Sequence, residues 1–442
     1  MNTPIYDFLC SYADSGTLRC HMPGHKGRGA SPAAGLDITE ISGADSLFEA
    51  DGIIRESERN MSRLYGTADT FYSAAGSTLC IQAMLAAMKS EGRKVIAVRN
   101  VHRAFLNAAA LLGLDVSWIM PDYTDGILSG NVSLDAVEEK LRENENACVY
   151  LTSPDYTGRM ADIAGISAIC RRYGAPLLVD NAHGAHLHFL PESCHPIALG
   201  ADMCCDSAHK MLPALTGAAM LHTSSEKYAG MLRQCMSLFA STSPSYLIMA
   251  SLDLCCKYIS EQISADISAN LECLRDFRAA FADRLGFAEG DPFHITIKAS
   301  LSGFDGIDLA EQLRRNGVEC EYADSSLVIL LMSPMNTALD YAKLHAALES
   351  ALADTRAAEP SGGGVVLPLP ERAMSIRDAA FAPSVEIPVE EADGRICASV
   401  KVPCPPAVPI AASGEVISRE CIELFRRYGI PVVLVVDERK LP

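Results

Sequence analysis

The apolar positions of this chain change their period along its length, and those changes delimit its elements. Between about residues 73 and 222, short apolar runs alternate with longer amphipathic stretches. Lys94–Val98, Asp115–Ile119, Ala147–Leu151 and Pro176–Asp180 are short and mostly apolar, and read as strands. Between them, Leu79–Lys89, Ala104–Leu112, Ser133–Arg142 and Ile163–Tyr173 carry apolar residues at helical spacing. Alternation of this kind predicts an α/β fold, a mainly parallel sheet covered by helices on both faces, with right-handed crossovers. Ligands of such sheets bind beyond the carboxyl ends of the strands.

From about 243 to 285 the pattern is helical. Strand-like segments return at His294–Lys298 and Ser326–Leu331, with a helical stretch at Leu309–Asn316 between them, so a second, smaller α/β domain is expected. Residues 357–364 (AAEPSGGG) have linker chemistry. Beyond them, 365–442 is rich in proline and short β-like runs, which predicts a small C-terminal domain. The expected organisation is an N-terminal segment (1–35), a large domain (36–285), a small α/β domain (286–356) and a C-terminal domain (365–442).

Composition narrows the function classes. A chain of 442 residues exceeds one compact core. Its net charge of −18 argues against nucleic acid, because phosphate binding needs a basic face. An acidic field favours a cationic small molecule or simply keeps the chain in solution. Sixteen cysteines without a single C-x-x-C read as core thiols in a reducing cytoplasm. The first residues show no basic n-region and no long apolar run, so no signal peptide is expected. No apolar run reaches the roughly 18 residues of a membrane span, so no membrane partner is expected.

Candidate chemistry starts at Asp180, which ends the apolar run Leu177-Leu178-Val179. Further along comes Asp206-Ser207-Ala208-His209-Lys210. Pyridoxal 5′-phosphate (PLP) chemistry needs both a lysine and an aspartate. A lysine amine holds the cofactor aldehyde as an imine. A carboxylate keeps the pyridine nitrogen protonated, so the ring accepts electrons. The third element is Gly76-Ser77-Thr78 before the helical stretch Leu79–Lys89, where a helix start and two hydroxyls suit a phosphate. An ordinary N-cap serine would look alike. Ser207 is a further candidate phosphate donor. His183, His186 and His188 lack nearby Cys or Glu ligands, so no metal is expected there.

These segments, in this order, resemble the ornithine/lysine/arginine decarboxylase family, and within it the shorter members without an N-terminal wing domain. His21-Met22-Pro23-Gly24-His25-Lys26-Gly27 and Asp37-Ile38-Thr39-Glu40 are similar to its N-terminal signatures. Arg99-Asn100-Val101-His102 is similar to its R-N-x-H, Asp180–His186 to D-E-A-H-G-A-H, Ser207–Lys210 to S-x-H-K, and Thr242–Tyr246 to T-S-P-S-Y. Phe381-Ala382-Pro383, Pro405-Pro406 and Ser413-Gly414-Glu415 resemble further landmarks. Asn181 departs from the family's usual glutamate, and Met211, Arg103-Ala104, Cys404 and Ala407-Val408 depart elsewhere.

The resemblance implies a PLP fold type I (aspartate-aminotransferase-like) large domain and decarboxylation of arginine, lysine or ornithine in polyamine metabolism. It implies that Lys210 binds PLP, that Asp180 holds the ring nitrogen, and that Gly76, Ser77, Thr78 and Ser207 hold the phosphate. His102 is expected to stack on the ring, with Ala182 on the other face. His183 is expected to touch cofactor or substrate, and His209 or Lys210 to return a proton to the substrate. The family implies a homodimer, or higher homo-oligomer, in which Ser243 reaches the partner's phosphate pocket. Asp45 and Glu49 are candidates for the cationic end of the substrate. Another PLP reaction, an aminotransferase or a lyase, is the alternative. Aminotransferases usually clamp the α-carboxylate with an arginine, and His294–Lys298 offers none.

Overall fold

Lys94–Val98 forms a strand with the bounds its apolar run predicts, and the neighbouring strands form at Val116–Ile119, Ala147–Thr152 and Leu177–Asp180. The helices between them form at Gly76–Ser90, Arg103–Leu112, Leu134–Glu143 and Ile163–Arg172. The computed structural model describes residues 1–29, 31–124, 126–357, 367, 369, 371–399 and 408–440. The linker reading at 357–364, beyond its first residue, and the Pro405-Pro406 landmark lie outside the described residues.

The chain divides into two units, the first comprising Met1–Glu91, Pro176–Ser268 and Ser333–Met335. Its strands run in the order Asp69–Ser73, Ala219–Thr223, Met203–Asp206, Leu177–Asp180. Leu177–Asp180 and Met203–Asp206 are parallel, while Ala219–Thr223 pairs antiparallel with both of its neighbours. The strand-forming runs Met203–Asp206 and Ala219–Thr223 are buried at every position, which removes the alternation that marks a half-buried strand. The helix Gly76–Ser90 is likewise buried almost all round, from Leu79 to Met88, as expected of a helix enclosed by its own unit. The region read as helical from 243 forms Tyr246–Glu261 and Ile263–Phe281.

The second unit comprises Gly92–Ala175, Ala269–Met332 and Asn336–Pro442. Lys94–Val98 lies between Val116–Ile119 and Ala147–Thr152, parallel to both. The second α/β element forms as an antiparallel sheet of His294–Ile297, Val328–Leu331 and Tyr322–Ala323. The helix Gly306–Arg315 lies in the intervening segment. Near the C-terminus, Ser384–Pro388 and Cys397–Ser399 both pair antiparallel with Val432–Val436. The core of this region joins Ile410, Phe425, Val433 and Val435 to Ile127 and Leu128. Two segments of family resemblance meet here, because buried Arg99 donates to Oε2 of Glu415 at 2.9 Å.

Candidate active site

Asp180 is the last residue of its strand and lies opposite Cys205 across a parallel pairing. It is only 3% exposed. Its Oδ1 accepts from the backbone N–H of Ala182 at 3.2 Å and from the Cys205 thiol at 3.5 Å. Side chains alternate between the faces of a sheet, so Cys204 and Asp206 point away from the face that Cys205 and Asp180 share. On that opposite side, Asn181 donates through Nδ2 to Oδ1 of Asp206 at 2.7 Å. The departure from glutamate at 181 has a physical reason here. A glutamate would bring a second acceptor-only carboxylate to Asp206, whereas the amide supplies a donor. Gly184 belongs to the same packing, since a Cβ there would lie 2.0 Å from Oδ1 of Asn181.

Lys210 sits one turn beyond the end of the neighbouring strand. Met203–Asp206 stops at Ser207, and a single helical turn, Ala208–Met211, follows. The amide of Lys210 closes that turn on the carbonyl of Ser207 at 3.1 Å. Its Nζ lies 2.9 Å from Nε2 of His183. His183 follows Asp180 by three residues and is buried. The amine therefore shares a hydrogen bond with an imidazole that the Asp180 strand end delivers. His209 Nδ1 lies 2.9 Å from the carbonyl of Ala218 and donates to it. A neutral His209 thus keeps its only ring proton on the carbonyl side.

The helix Gly76–Ser90 begins at the end of the strand Asp69–Ser73. Its N-cap is Ala75, which has no side-chain cap, so neither Ser77 nor Thr78 plays the ordinary capping part. Gly76 has a φ of 69°, and its amide donates to the carbonyl of Gly217 at 2.8 Å. A Cβ on Gly76 would meet nothing within 4 Å, so the backbone is open on that side. First-turn N–H groups without a side-chain cap, together with the helix dipole, suit a phosphate dianion.

Gly76, Ser77, Thr78, Asp180, Ala182, His183, Ser207, His209 and Lys210 all belong to the first unit. An amine, a buried carboxylate at a strand end and an uncapped helix start are the donor set that PLP requires, and the residues fit that group. His102 belongs to the second unit, where its Nδ1 accepts from the amide of Ala104 at 3.2 Å and caps the helix Arg103–Leu112. Ser243 is exposed. The cap of the helix Tyr246–Glu261 is Ser245, whose Oγ accepts from Ile248. Asp45 is placed differently from a substrate anchor. Its carboxylate accepts from the amides of Ser46, Asp51, Gly52, Ile54 and Arg55, and so holds the start of the helix Ile53–Tyr65. Glu49 shares the Ser46 hydroxyl with Glu40, at 2.7 and 2.8 Å.

His183, His186 and His188 do not converge as a group. Among the described residues, the His, Cys, Asp and Glu side chains close enough to share an ion are His195, Asp206 and His222. Burial alone would raise the Asp206 carboxyl, but the two imidazoles beside it hold it well below the ordinary range. No spacing along the chain signals this cluster, because its members come from a loop and two strands.

A strand-end aspartate and a lysine beyond the next strand fit a PLP enzyme of fold type I. The crystal structure of the Francisella novicida lysine decarboxylase LdcF has the same fold, with a TM-score of 0.79 and 16% identity over 98% of this chain and 81% of that one. The family model "Orn/Lys/Arg decarboxylase, major domain" matches residues 3–297, and the chain belongs to that family of PLP-dependent amino-acid decarboxylases. It is 31% identical to the uncharacterized protein YaaO of Bacillus subtilis (strain 168), over 97% of this chain and 94% of that protein. It is 29% identical to the arginine decarboxylase of the same organism, over 97% and 95%. No helix among the described residues is long and apolar enough to cross a membrane.

Proposed function

We propose that the chain removes the α-carboxylate of a basic amino acid, with arginine as the first substrate to test and agmatine as its product, and so feeds polyamine metabolism. The observation that carries this reading is the pairing of Lys210 with His183 at 2.9 Å, three residues beyond the buried Asp180. Relatives that match nearly the whole chain and are named arginine decarboxylases support arginine over lysine and ornithine.

PLP, when bound, supplies an electron sink for the pair left on Cα as carbon dioxide departs. Lys210 is the residue that holds it covalently. Asp180 is placed to hold a proton on the pyridine nitrogen, its own orientation fixed by the Ala182 amide. Gly76, Ser77, Thr78 and Ser207 form the phosphate cradle, and Ser243 completes it from the second subunit of a homodimer. Lys210 and His183 together hold a proton at Nζ for return to the substrate's α-carbon. His209 is less suited to that step, because its Nδ1 proton is committed to the Ala218 carbonyl. The net charge of −18 favours the approach of a cationic amino acid.

The test is to incubate the PLP-loaded protein with arginine, lysine and ornithine separately. Carbon dioxide and the amine are then measured for each, and keto acid is measured in parallel. Agmatine and carbon dioxide in equal amounts are expected from arginine. Keto acid without carbon dioxide would move the reading to an aminotransferase. Carbon dioxide from lysine or ornithine alone would overturn the choice of arginine.

A further inference from the structure

A second constellation is built on the sheet face opposite Asp180. In the antiparallel pairing of Met203–Asp206 with Ala219–Thr223, Cys204 lies directly across from His222, and Asp206 stands one same-face position further along. The loop between Leu187–Phe189 and Met203–Asp206 brings His195 over the same spot. Nε2 of His195 is 3.1 Å from Oδ2 of Asp206, and Nε2 of His222 is 3.4 Å from that same oxygen. All three side chains are 0% exposed. No lysine or arginine pairs with Asp206 among the described residues.

The His195 contact is also at hydrogen-bond distance, but the oxygen it meets is approached by a second imidazole as well. A tetrahedral ion with metal–ligand bonds of about 2.0–2.1 Å sets its nitrogen and oxygen ligands roughly 3.3–3.4 Å apart. The observed 3.1 and 3.4 Å bracket that spacing. Nε2 of His222 is buried and makes no hydrogen bond, although it lies 3.4 Å from the carboxylate. Its Nδ1 is 2.9 Å from the Thr70 hydroxyl, which fixes the ring and leaves Nε2 as the ligating nitrogen. Asn181 fixes the other carboxylate oxygen, Oδ1, and leaves Oδ2 for an ion. Two ligands therefore already have the outer partners that metal sites use. The Cys204 sulfur lies beside this group without belonging to it, 3.8 Å from Nε2 of His195 and 4.0 Å from Oδ1 of Asp206.

The geometry points to a structural zinc site formed by His195, Asp206 and His222. Two imidazoles beside one carboxylate oxygen at tetrahedral spacing select Zn²⁺ over Mg²⁺ or Ca²⁺, which demand oxygen ligands in larger number. The ion would neutralise the buried carboxylate and tie the His195 loop to the strand that leads into Lys210. This inference does not depend on the decarboxylase reading.

The test uses untagged protein, loaded with PLP, produced in zinc-supplemented medium and passed through gel filtration. About one zinc per chain is expected, falling at least tenfold in His195→Gln and in His222→Gln, and unchanged in a His25→Gln control. Wild-type protein without zinc, or either variant retaining it, overturns the site. A variant that fails to fold leaves the wild type decisive. Protein produced with Co²⁺ in place of zinc should show the intense visible absorption of four-coordinate cobalt, with histidine ligands in its X-ray absorption fine structure. A weak six-coordinate spectrum, or none, overturns the proposal equally.

Discussion

Replacing Glu415 with alanine removes the carboxylate that Arg99 faces in the second unit. Arg99 is 0% exposed and Glu415 3%, so water does not replace the missing partner. The guanidinium keeps the carbonyls of Pro409 at 3.2 Å and Ile410 at 3.4 Å, which are dipoles rather than a countercharge. The backbone N–H of Ala412, which donates to Oε2 of Glu415 at 2.6 Å, loses its acceptor as well. Breaking a buried ion pair from one side costs about 3–5 kcal/mol, because the surviving charge stays desolvated. At roughly 2–4 °C per kcal/mol for a folded unit of this size, the melting temperature should fall by about 6–20 °C. The assay is a thermal melt of both proteins at one fixed scan rate, because a chain with several units is not expected to melt in a two-state manner. The double variant Arg99→Met/Glu415→Leu separates charge from packing. Apolar replacement of both partners is often neutral, so it should regain most of the loss. A single variant within about 2 °C of wild type would refute the reasoning, since it would mean the charge is solvated. A double variant as unstable as the single one would place the loss in packing.

Lys210→Ala should abolish the visible absorbance of lysine-bound PLP and nearly all turnover; a mutant that still binds PLP covalently would move the attachment elsewhere. Asp180→Asn should keep PLP bound yet lower kcat by roughly 10²-fold or more, with KM little changed, and steady-state kinetics beside cofactor content would show otherwise if another residue held the ring nitrogen. A pH effect is expected at Asp253, which accepts from the amides of Ile5 and Tyr6 and from the Ser57 hydroxyl. Burial pushes its carboxyl up to about 6 from an ordinary 3.8, against the pull of those donors. The folded chain therefore holds a proton there that the unfolded chain has already released, so this group's contribution is full below about pH 4 and is lost as pH rises through about 6. The melting temperature of wild type minus that of Asp253→Asn should shrink between pH 4 and pH 7, and a difference that grows with pH would reverse the sign.

What the sequence disclosed follows from where each signal lives. Lys94–Val98 and Leu177–Asp180 were legible because turns and amphipathic helices flank their apolar runs. Asp69–Ser73, Met203–Asp206 and Ala219–Thr223 were not singled out as strands, because strands buried on both faces lose the period of two and keep polar members such as Thr70, Asp206 and His222 inside. Lys210 and Asp180 were singled out because cofactor chemistry asks for those two groups at the ends of elements. Asp45 was misleading for the converse reason. An acidic residue in a glycine-containing loop looks available for a cation, yet here it folds back on five amides, a contact made by local backbone geometry that composition does not encode.

Asn181 shows how a departure from a family pattern becomes informative once its neighbours are known. Read alone, an amide in place of the usual glutamate is only a departure from the family pattern. In the structure it reaches the sheet face opposite Asp180 and touches Asp206, so what it bears on directly is the buried cluster. Asn181→Glu should therefore place two carboxylates together beside His195 and His222. Like charges in a buried site drive one of them to protonate or the strand end to move. The strand end is the segment that carries Asp180 and delivers His183 to Lys210, so movement there would reach the chemistry through position. Asn181→Gln is the matched control, since it keeps the donor and adds the length. If Asn181→Glu lowers kcat and thermal stability together while Asn181→Gln spares stability, the charge beneath the site is what Asn181 manages. Equal losses in both would make side-chain length, set against the close approach of Gly184, the governing constraint.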